Sequence, residues 1–176
     1  MLANTSVEAF ADPAPDPPVR GFLHRPEHPN SDGLILTHGA GSNCQAPLLI
    51  ALAEAFAGAG FAVLRCDLPY RQLRPYGPPG PGDASRDREG LKHAVEAMRK
   101  MARGRMFLGG HSYGGRQATM LCAEQPDLVN GLLLRLHTTT FFVGGGLRQG
   151  THSRRDRNTW SISIVGACKD TFSLFA

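Results

Sequence analysis

The chain has few cysteines, and they lie far apart. The four residues are Cys44, Cys66, Cys122 and Cys168, and no two of them form a CxxC pair. Cysteine zinc sites and disulfide-stapled small folds are recognised by close or regular cysteine spacings. The sequence therefore argues against both classes, and reduced thiols fit a cytoplasmic or nuclear protein.

The chain also lacks a long basic run, although its formal net charge is +4. The 19 lysines and arginines are scattered, and many have acidic neighbours. The densest run, Arg154-Arg155-Asp156-Arg157, is too short for the basic stripe that is typical of nucleic-acid binding. We expect a solvated surface and no nucleic-acid partner.

Neither a leader nor a membrane span is predicted. Residues 1–18 have no basic start and no apolar centre, and they contain four prolines, so a flexible N-terminal arm is predicted. Residues 46–64 carry a single charge, Glu54, but Gly58 and Gly60 interrupt them. A helix followed by a buried strand is predicted there, with no membrane partner.

Residues 19–134 show the alternation of apolar runs and helical patterns that predicts an α/β fold. The predicted elements are strands at 19–26 (an edge strand), 33–37, 61–66, 106–108 and 131–134, and helices after residue 46, at 87–102 and at 115–124. The strand, helix and strand between residues 33 and 66 form a βαβ unit, which requires parallel strands. One domain is expected, with a mostly parallel sheet flanked by helices.

Two segments carry neither a helical nor a strand period. Residues 67–82 hold five prolines and three glycines, so a surface loop that shapes a substrate mouth is predicted. Residues 135–176 form a divergent segment in which only 160–166 has the pattern of a strand.

The most informative motif is the run Gly110-His111-Ser112-Tyr113-Gly114, a GxSxG sequence between a predicted strand and a predicted helix. Such a strained turn exposes a serine nucleophile, and its flanking positions must be small. Gly110 and Gly114 meet that need. The alternative is a glycine-rich turn that only packs the sheet.

Acyl transfer also needs donors for a developing oxyanion. The backbone N–H of Tyr113 opens the helix after the serine and is the first candidate donor. The loop that contains Gly39 and Ala40 follows an earlier strand and is the candidate for the second.

Three segments, LTHGAGSN, FAVLRCDLPYRQ and FLGGHSYGGRQATM, occur in this order. They resemble α/β hydrolases related to dienelactone hydrolase, and most of all the subgroup of testis-expressed protein 30 and the third subunit of the non-specific lethal chromatin complex. The resemblance covers residues 19–134. It implies an α/β hydrolase fold, a serine nucleophile at Ser112, an oxyanion site near Gly39, Ala40 and Tyr113, and no nucleotide, flavin or metal.

The resemblance also implies an acid and then a histidine after the serine, and here the chain departs from the pattern. The acid candidate is Asp170, with a solvated charge near the terminus as the alternative. The histidines behind Ser112 are His137 and His152, and both precede Asp170. No base is evident, and the last strand and helix of the fold are expected to be missing.

Two functions therefore stay open. One is an impaired serine hydrolase for esters, thioesters or other acyl groups, acting on a small-molecule acyl substrate. The other is a non-catalytic module that binds a protein partner. The loss of pattern after residue 134 leads to the hypothesis of a truncated, alternatively spliced or frame-shifted form of a longer hydrolase.

Overall fold

Seven strands form one mixed sheet in the computed structural model, which describes residues 5–135 and 163–166. The strands are β1 Ser6–Asp12, β2 Val19–Arg25, β3 Gly33–Thr37, β4 Ala62–Cys66, β5 Met106–His111, β6 Gly131–Arg135 and β7 Ser163–Gly166. Their order across the sheet is β1-β2-β4-β3-β5-β6-β7. The four central strands, β4, β3, β5 and β6, are parallel, whereas β1, β2 and β7 pair antiparallel with their neighbours.

Between the strands, the described part of the chain forms four helices: α1 Pro47–Gly58, α2 Pro69–Leu73, α3 Asp83–Arg99 and α4 Tyr113–Glu124. Proline occupies an early position in α1 and α2, where its fixed φ suits a helix start and its missing N–H costs no hydrogen bond. The predicted helix and strand within 46–64 are therefore confirmed as α1 and β4. Within the described residues, no helix is long and apolar enough to cross a membrane.

The helices cover both faces of the sheet, which confirms the predicted α/β class. Leu34 and Leu36 of β3 pack with α1 on one face, and Ile35 packs with α3 and α4 on the other. Each is at most 1% exposed. Alternate residues of a strand point to opposite faces, so a strand covered on both sides is apolar at every position.

The flexible N-terminal arm predicted for residues 1–18 is wrong over Ser6–Asp12, which forms the edge strand β1. Its backbone pairs with β2 along the whole length of both strands, and Phe10 packs against the core. An ion pair at 2.8 Å joins Glu8 to Arg25. β2 was predicted as an edge strand and is instead an inner strand. Pairing with β2 orders Ser6–Asp12, which the composition of that segment did not predict.

The segment 67–82 is more ordered at its start than predicted, because α2 lies inside it. Helix α3 also begins four residues before the predicted Asp87. Gly82, with φ 88°, precedes α3, and Asp83 lies in its first turn, where a negative charge is favoured. The part of the segment that is a loop is therefore residues 74–82.

Candidate active site

The two turns that follow β3 and β5 lie side by side at one edge of the sheet. The strands are parallel neighbours, and Thr37 near the end of β3 pairs with Gly110 near the end of β5. Open α/β sheets bind ligands outside the carboxyl ends of their strands. The GxSxG turn and the glycine-rich turn after β3 therefore meet where a substrate would bind.

Ser112 has a strained backbone. Its φ is 51° and its ψ is −110°, a conformation that L residues rarely adopt and that costs about 1–3 kcal/mol. The residue is exposed, and it connects the last residue of β5 directly to the first residue of α4. Ser112 therefore lies on a sharp turn between a strand and a helix, which we call the elbow.

Backbone contacts explain the glycines around Ser112. A Cβ atom on Gly110 would lie 2.4 Å from the backbone nitrogen of Gly115. One on Gly114 would lie 2.4 Å from the carbonyl oxygen of His38. These atoms belong to the backbone and have no room to move aside, so the turn excludes every side chain at both positions.

The turn after β3 approaches the serine closely. A Cβ atom on Gly39 would lie 3.5 Å from Cβ of Ser112 and 3.0 Å from Nδ1 of His111. The Gly114 N–H donates a hydrogen bond of 3.1 Å to the carbonyl of His38. The structure thus brings the predicted residues Gly39, Ala40, Ser112 and Tyr113 together.

The peptide groups of this turn have a defined direction. The Gly39 carbonyl accepts hydrogen bonds from His38 Nδ1 at 2.9 Å and from Ser42 N–H at 3.1 Å. In a trans peptide the carbonyl and the next N–H point in opposite directions. The Ala40 N–H therefore points away from the groups that bind the Gly39 carbonyl.

His38 is buried and neutral. Its Nδ1 donates to the Gly39 carbonyl, so its Nε2 is the acceptor of the Leu68 N–H at 3.1 Å. Burial lowers the pKa of His38 and outweighs the carboxylate of Asp67, which lies 3.4 Å from Nε2 and acts to raise it. Both ring nitrogens are occupied, so His38 holds the backbone of the turn against residue 68.

Tyr70 and Arg71 of α2 hold the turn from the side of β4. The Tyr70 hydroxyl donates to the Ala40 carbonyl at 2.8 Å. The Arg71 guanidinium donates to the carbonyls of Ala40 at 2.9 Å and Ser42 at 2.8 Å. Neither residue was predicted for the site, because the proline-rich segment that contains both has the composition of a surface loop.

Asp87 of α3 connects the two turns. Its Oδ2 accepts a hydrogen bond of 2.8 Å from the Tyr113 hydroxyl, and its Oδ1 accepts one of 3.0 Å from the Tyr70 N–H. Asp87 is 0% exposed, and burial raises its pKa. Burial and the neighbouring Asp87 carboxylate also raise the pKa of Tyr113, whose hydroxyl therefore stays a donor.

Asp170, His137 and His152 lie outside the described residues. β7 ends at Gly166, which pairs with Gly131 at the amino ends of the parallel strands, so the chain leaves β7 at the edge opposite to Ser112.

Two further histidines bind groups remote from the serine. His24 Nε2 accepts a hydrogen bond of 2.8 Å from Arg65 Nε. His93 is bonded to the Pro17 carbonyl at 2.9 Å and faces Glu89 at 3.2 Å. Neither is available as a base for Ser112 in this arrangement.

The thiols and acids of the described part form no metal-binding group of three or more side chains. Cys44, Cys66 and Cys122 are free thiols. Burial raises the pKa of Cys44 to about 12 and that of Cys122 to about 11. These thiols are therefore protonated at neutral pH and are poor nucleophiles and ligands.

Comparison with protein families agrees with this geometry. The model of the alpha/beta hydrolase domain family matches residues 30–136, which include β3, the elbow and β6. The chain belongs to this family. No curated protein sequence matches the chain.

Several solved structures share the fold. Dienelactone hydrolase from Anabaena variabilis is 24% identical, with a TM-score of 0.60 over 74% of this chain and 63% of that protein. TT1662 from Thermus thermophilus is 21% identical, with a TM-score of 0.62 over 84% of this chain and 63% of that protein. XC6422 from Xanthomonas campestris, an α/β serine hydrolase without a lid, is 16% identical, with a TM-score of 0.56 over 76% and 62%. The chain thus spans less than two thirds of each of these structures.

Proposed function

We propose that the chain carries the acyl-binding half of a serine hydrolase site, for esters, thioesters or other acyl groups. In this proposal Ser112 is the nucleophile, and the N–H groups of Tyr113 and of the Gly39–Ala40 turn bind the oxyanion. The observation that carries it is the strained backbone of Ser112, at φ 51°, between two glycines that tolerate no side chain. Strain of this kind is retained where the surrounding structure supports a function.

The proposed reaction is attack of Ser112 Oγ on an acyl carbonyl. The carbonyl oxygen becomes an oxyanion, and preorganised N–H donors stabilise it without reorientation during the reaction. Tyr113 is the first residue of α4, where backbone N–H groups have no partner inside the helix. The Ala40 N–H points away from the groups that bind the Gly39 carbonyl, and the neighbouring Gly39 lies beside Ser112, which supports this N–H as the second donor.

Turnover is expected to be slow, since no base is evident in the described part of the chain. His24, His38 and His93 bind other groups, and His111 adjoins the serine on a turn that directs neighbouring side chains apart. Removing the histidine of a serine triad lowers kcat on the order of a millionfold and leaves roughly a thousandfold over water. For the acid, Asp170 stays a prediction.

A second function is also favoured, because His24, His38 and His93 are bound to other groups. It is a non-catalytic hydrolase-like module that binds a protein partner. Labelling of the folded chain with a fluorophosphonate separates the two functions, because only an activated serine reacts. We expect slow labelling of the wild-type chain and none of Ser112→Ala.

The matched control is Ser85→Ala, which removes another exposed serine that lies in α3 and bonds only to the Gly82 carbonyl in the described part. It should label at the wild-type rate. Labelling that persists in Ser112→Ala, or a complete absence of labelling in folded wild-type protein, would contradict the hydrolase proposal and support the module.

A further inference from the structure

Arg71 is a buried cation that forms no ion pair within the described residues, which is unusual for a buried arginine. The residue is 7% exposed. Its hydrogen bonds go to the carbonyls of Ala40, Ser42, Arg74 and Gly77, at distances between 2.8 and 3.1 Å, and to the Tyr70 hydroxyl at 3.4 Å. Buried arginines are retained mainly where their donors are used.

These carbonyls come from two different loops. Ala40 and Ser42 belong to the turn after β3, which approaches Ser112. Arg74 and Gly77 belong to the proline-rich loop 74–82, which follows α2. One side chain therefore fastens the turn and the loop to each other.

The hydrogen bonds also fix the direction of the turn's N–H groups. Arg71 and Tyr70 bind the Ala40 carbonyl, and the Tyr70 hydroxyl also lies 3.4 Å from the Gly39 carbonyl, whose peptide group carries the Ala40 N–H. Tyr70 in turn is fixed through its backbone by Asp87, which also binds Tyr113. The residues of both proposed oxyanion donors are thus connected to the same buried group.

We propose that Arg71 is a positioning residue, which holds the turn 39–42 and the loop 74–82 as one unit beside Ser112. The inference rests on the proposed function for its catalytic consequence, but the positioning itself is a property of the fold. Only arginine supplies a planar fork of five donors, so lysine is expected to replace it in part.

The first test is amide hydrogen exchange by mass spectrometry on the full chain. The turn offers protected amides, since Ser42 N–H bonds to the Gly39 carbonyl and Cys44 N–H bonds to the Asp67 carboxylate at 2.7 Å. Arg71→Met should accelerate exchange in 39–44 by about tenfold or more, with strands β3 and β5 unchanged. Exchange in 39–44 should be faster in Arg71→Lys than in the wild type and slower than in Arg71→Met.

The matched control is Arg86→Met, which removes an exposed arginine of α3 whose guanidinium pairs with the carboxylate of Asp16. It should leave exchange in 39–44 unchanged. If Arg71→Met does not fold, Tyr70→Phe replaces it as the test variant. It should accelerate exchange of the same amides by less than the tenfold expected for Arg71→Met. Unchanged exchange in 39–44, or acceleration that is equal across the whole chain, would overturn the proposal.

The second test is the rate of fluorophosphonate labelling at Ser112 in the same variants. We expect Arg71→Met to label about tenfold to a hundredfold more slowly than the wild type, because a misplaced donor loses transition-state stabilisation. An equal rate in a variant with a loosened turn would overturn the positioning of the oxyanion donors. If the wild type does not label, the proposed function fails, and exchange alone decides the role of Arg71.

Discussion

The turn after β5 and the turn after β3 are neighbours, but different forces hold them in place. The elbow at Ser112 is fixed by close contacts between backbone atoms, of Gly110 with Gly115 inside the turn and of Gly114 with the His38 carbonyl. The turn at Gly39 is fixed by side chains from distant parts of the chain, His38 with Leu68 and Arg71 with Ala40 and Ser42. Steric exclusion therefore shapes one half of the site and hydrogen bonding the other.

The largest expected effect comes from filling the space in the elbow. Gly110→Ala places a Cβ atom 2.4 Å from the backbone of Gly115, so the strand and helix must separate. We expect a loss of about 4 kcal/mol in the free energy of unfolding, or failure to fold, measured by urea denaturation.

The control for this variant is Gly58→Ala, at the end of α1, where a Cβ atom would have no neighbour within 4 Å. It should leave stability unchanged or raise it by up to about 1 kcal/mol. Equal stability of Gly110→Ala and the wild type would show that the elbow is not held by steric exclusion.

The next effect comes from removing a ring that holds the turn after β3. His38→Leu leaves the Leu68 N–H and the Gly39 carbonyl without the ring nitrogens that bind them now. A buried polar group that loses its partner costs about 1–3 kcal/mol, so we expect a loss of about 3 kcal/mol at pH 7. The same denaturation experiment measures it, and His28→Leu on an exposed loop should change stability by less than about 0.5 kcal/mol. A loss equal to that control would contradict the hydrogen-bonding role.

The pH dependence of stability is a third test, since buried histidines must stay neutral. Burial, and then the charge of Arg65, lowers the pKa of His24 to about 4. An unfolded histidine binds its proton below about pH 6.5, so the unfolded state binds more protons and stability falls as pH falls from 6.5 towards 4. His24 alone should account for about 2 kcal/mol between pH 7 and pH 5.

The comparison of wild type with His24→Gln isolates this contribution. Glutamine can accept the Arg65 hydrogen bond but does not titrate. The His24→Gln variant should therefore lose less stability on acidification than the wild type. Asp87 acts in the opposite direction, because its raised pKa favours the fold at low pH, and it is present in both proteins. Parallel pH profiles for the two proteins would show that His24 does not remain neutral in the fold.

The smallest effect concerns the strain at Ser112. Its φ of 51° and ψ of −110° fall in the mirror image of the β region, which glycine adopts freely and alanine does not. Ser112→Gly should therefore be more stable than Ser112→Ala by about 1 kcal/mol. Calorimetric melting of the two variants measures the difference, and a less stable glycine variant would argue against strain at this residue.

The elbow was predictable because its determinants are local. An apolar strand, a small residue on each side of a serine and a helical pattern after it lie within about twenty residues of sequence, and the structure places them as predicted. The order of β3, α1 and β4 was predictable for the same reason. The spacing of apolar residues indicates which faces of a segment are buried, and β3, α1 and β4 each show such a spacing within their own sequence.

The edge strand β1 and the fixing of the turn after β3 were not predictable in this way. β1 is exposed at most of its positions, so it has little apolar pattern, and pairing with β2 gives it its order. Tyr70 and Arg71 lie among prolines and glycines, and their burial depends on carbonyls about 30 residues away in sequence. Such contacts leave no periodic signal in the sequence.

The sequence by itself determined the α/β class and the residue at the elbow, because steric exclusion and burial act on neighbouring residues. Only the tertiary structure decided that His38 is neutral, that Arg71 fastens two loops and that Asp87 connects Tyr70 with Tyr113. Hydrogen bonds between distant segments depend on where the chain brings their atoms. That placement follows from the packing of the sheet and helices as a whole.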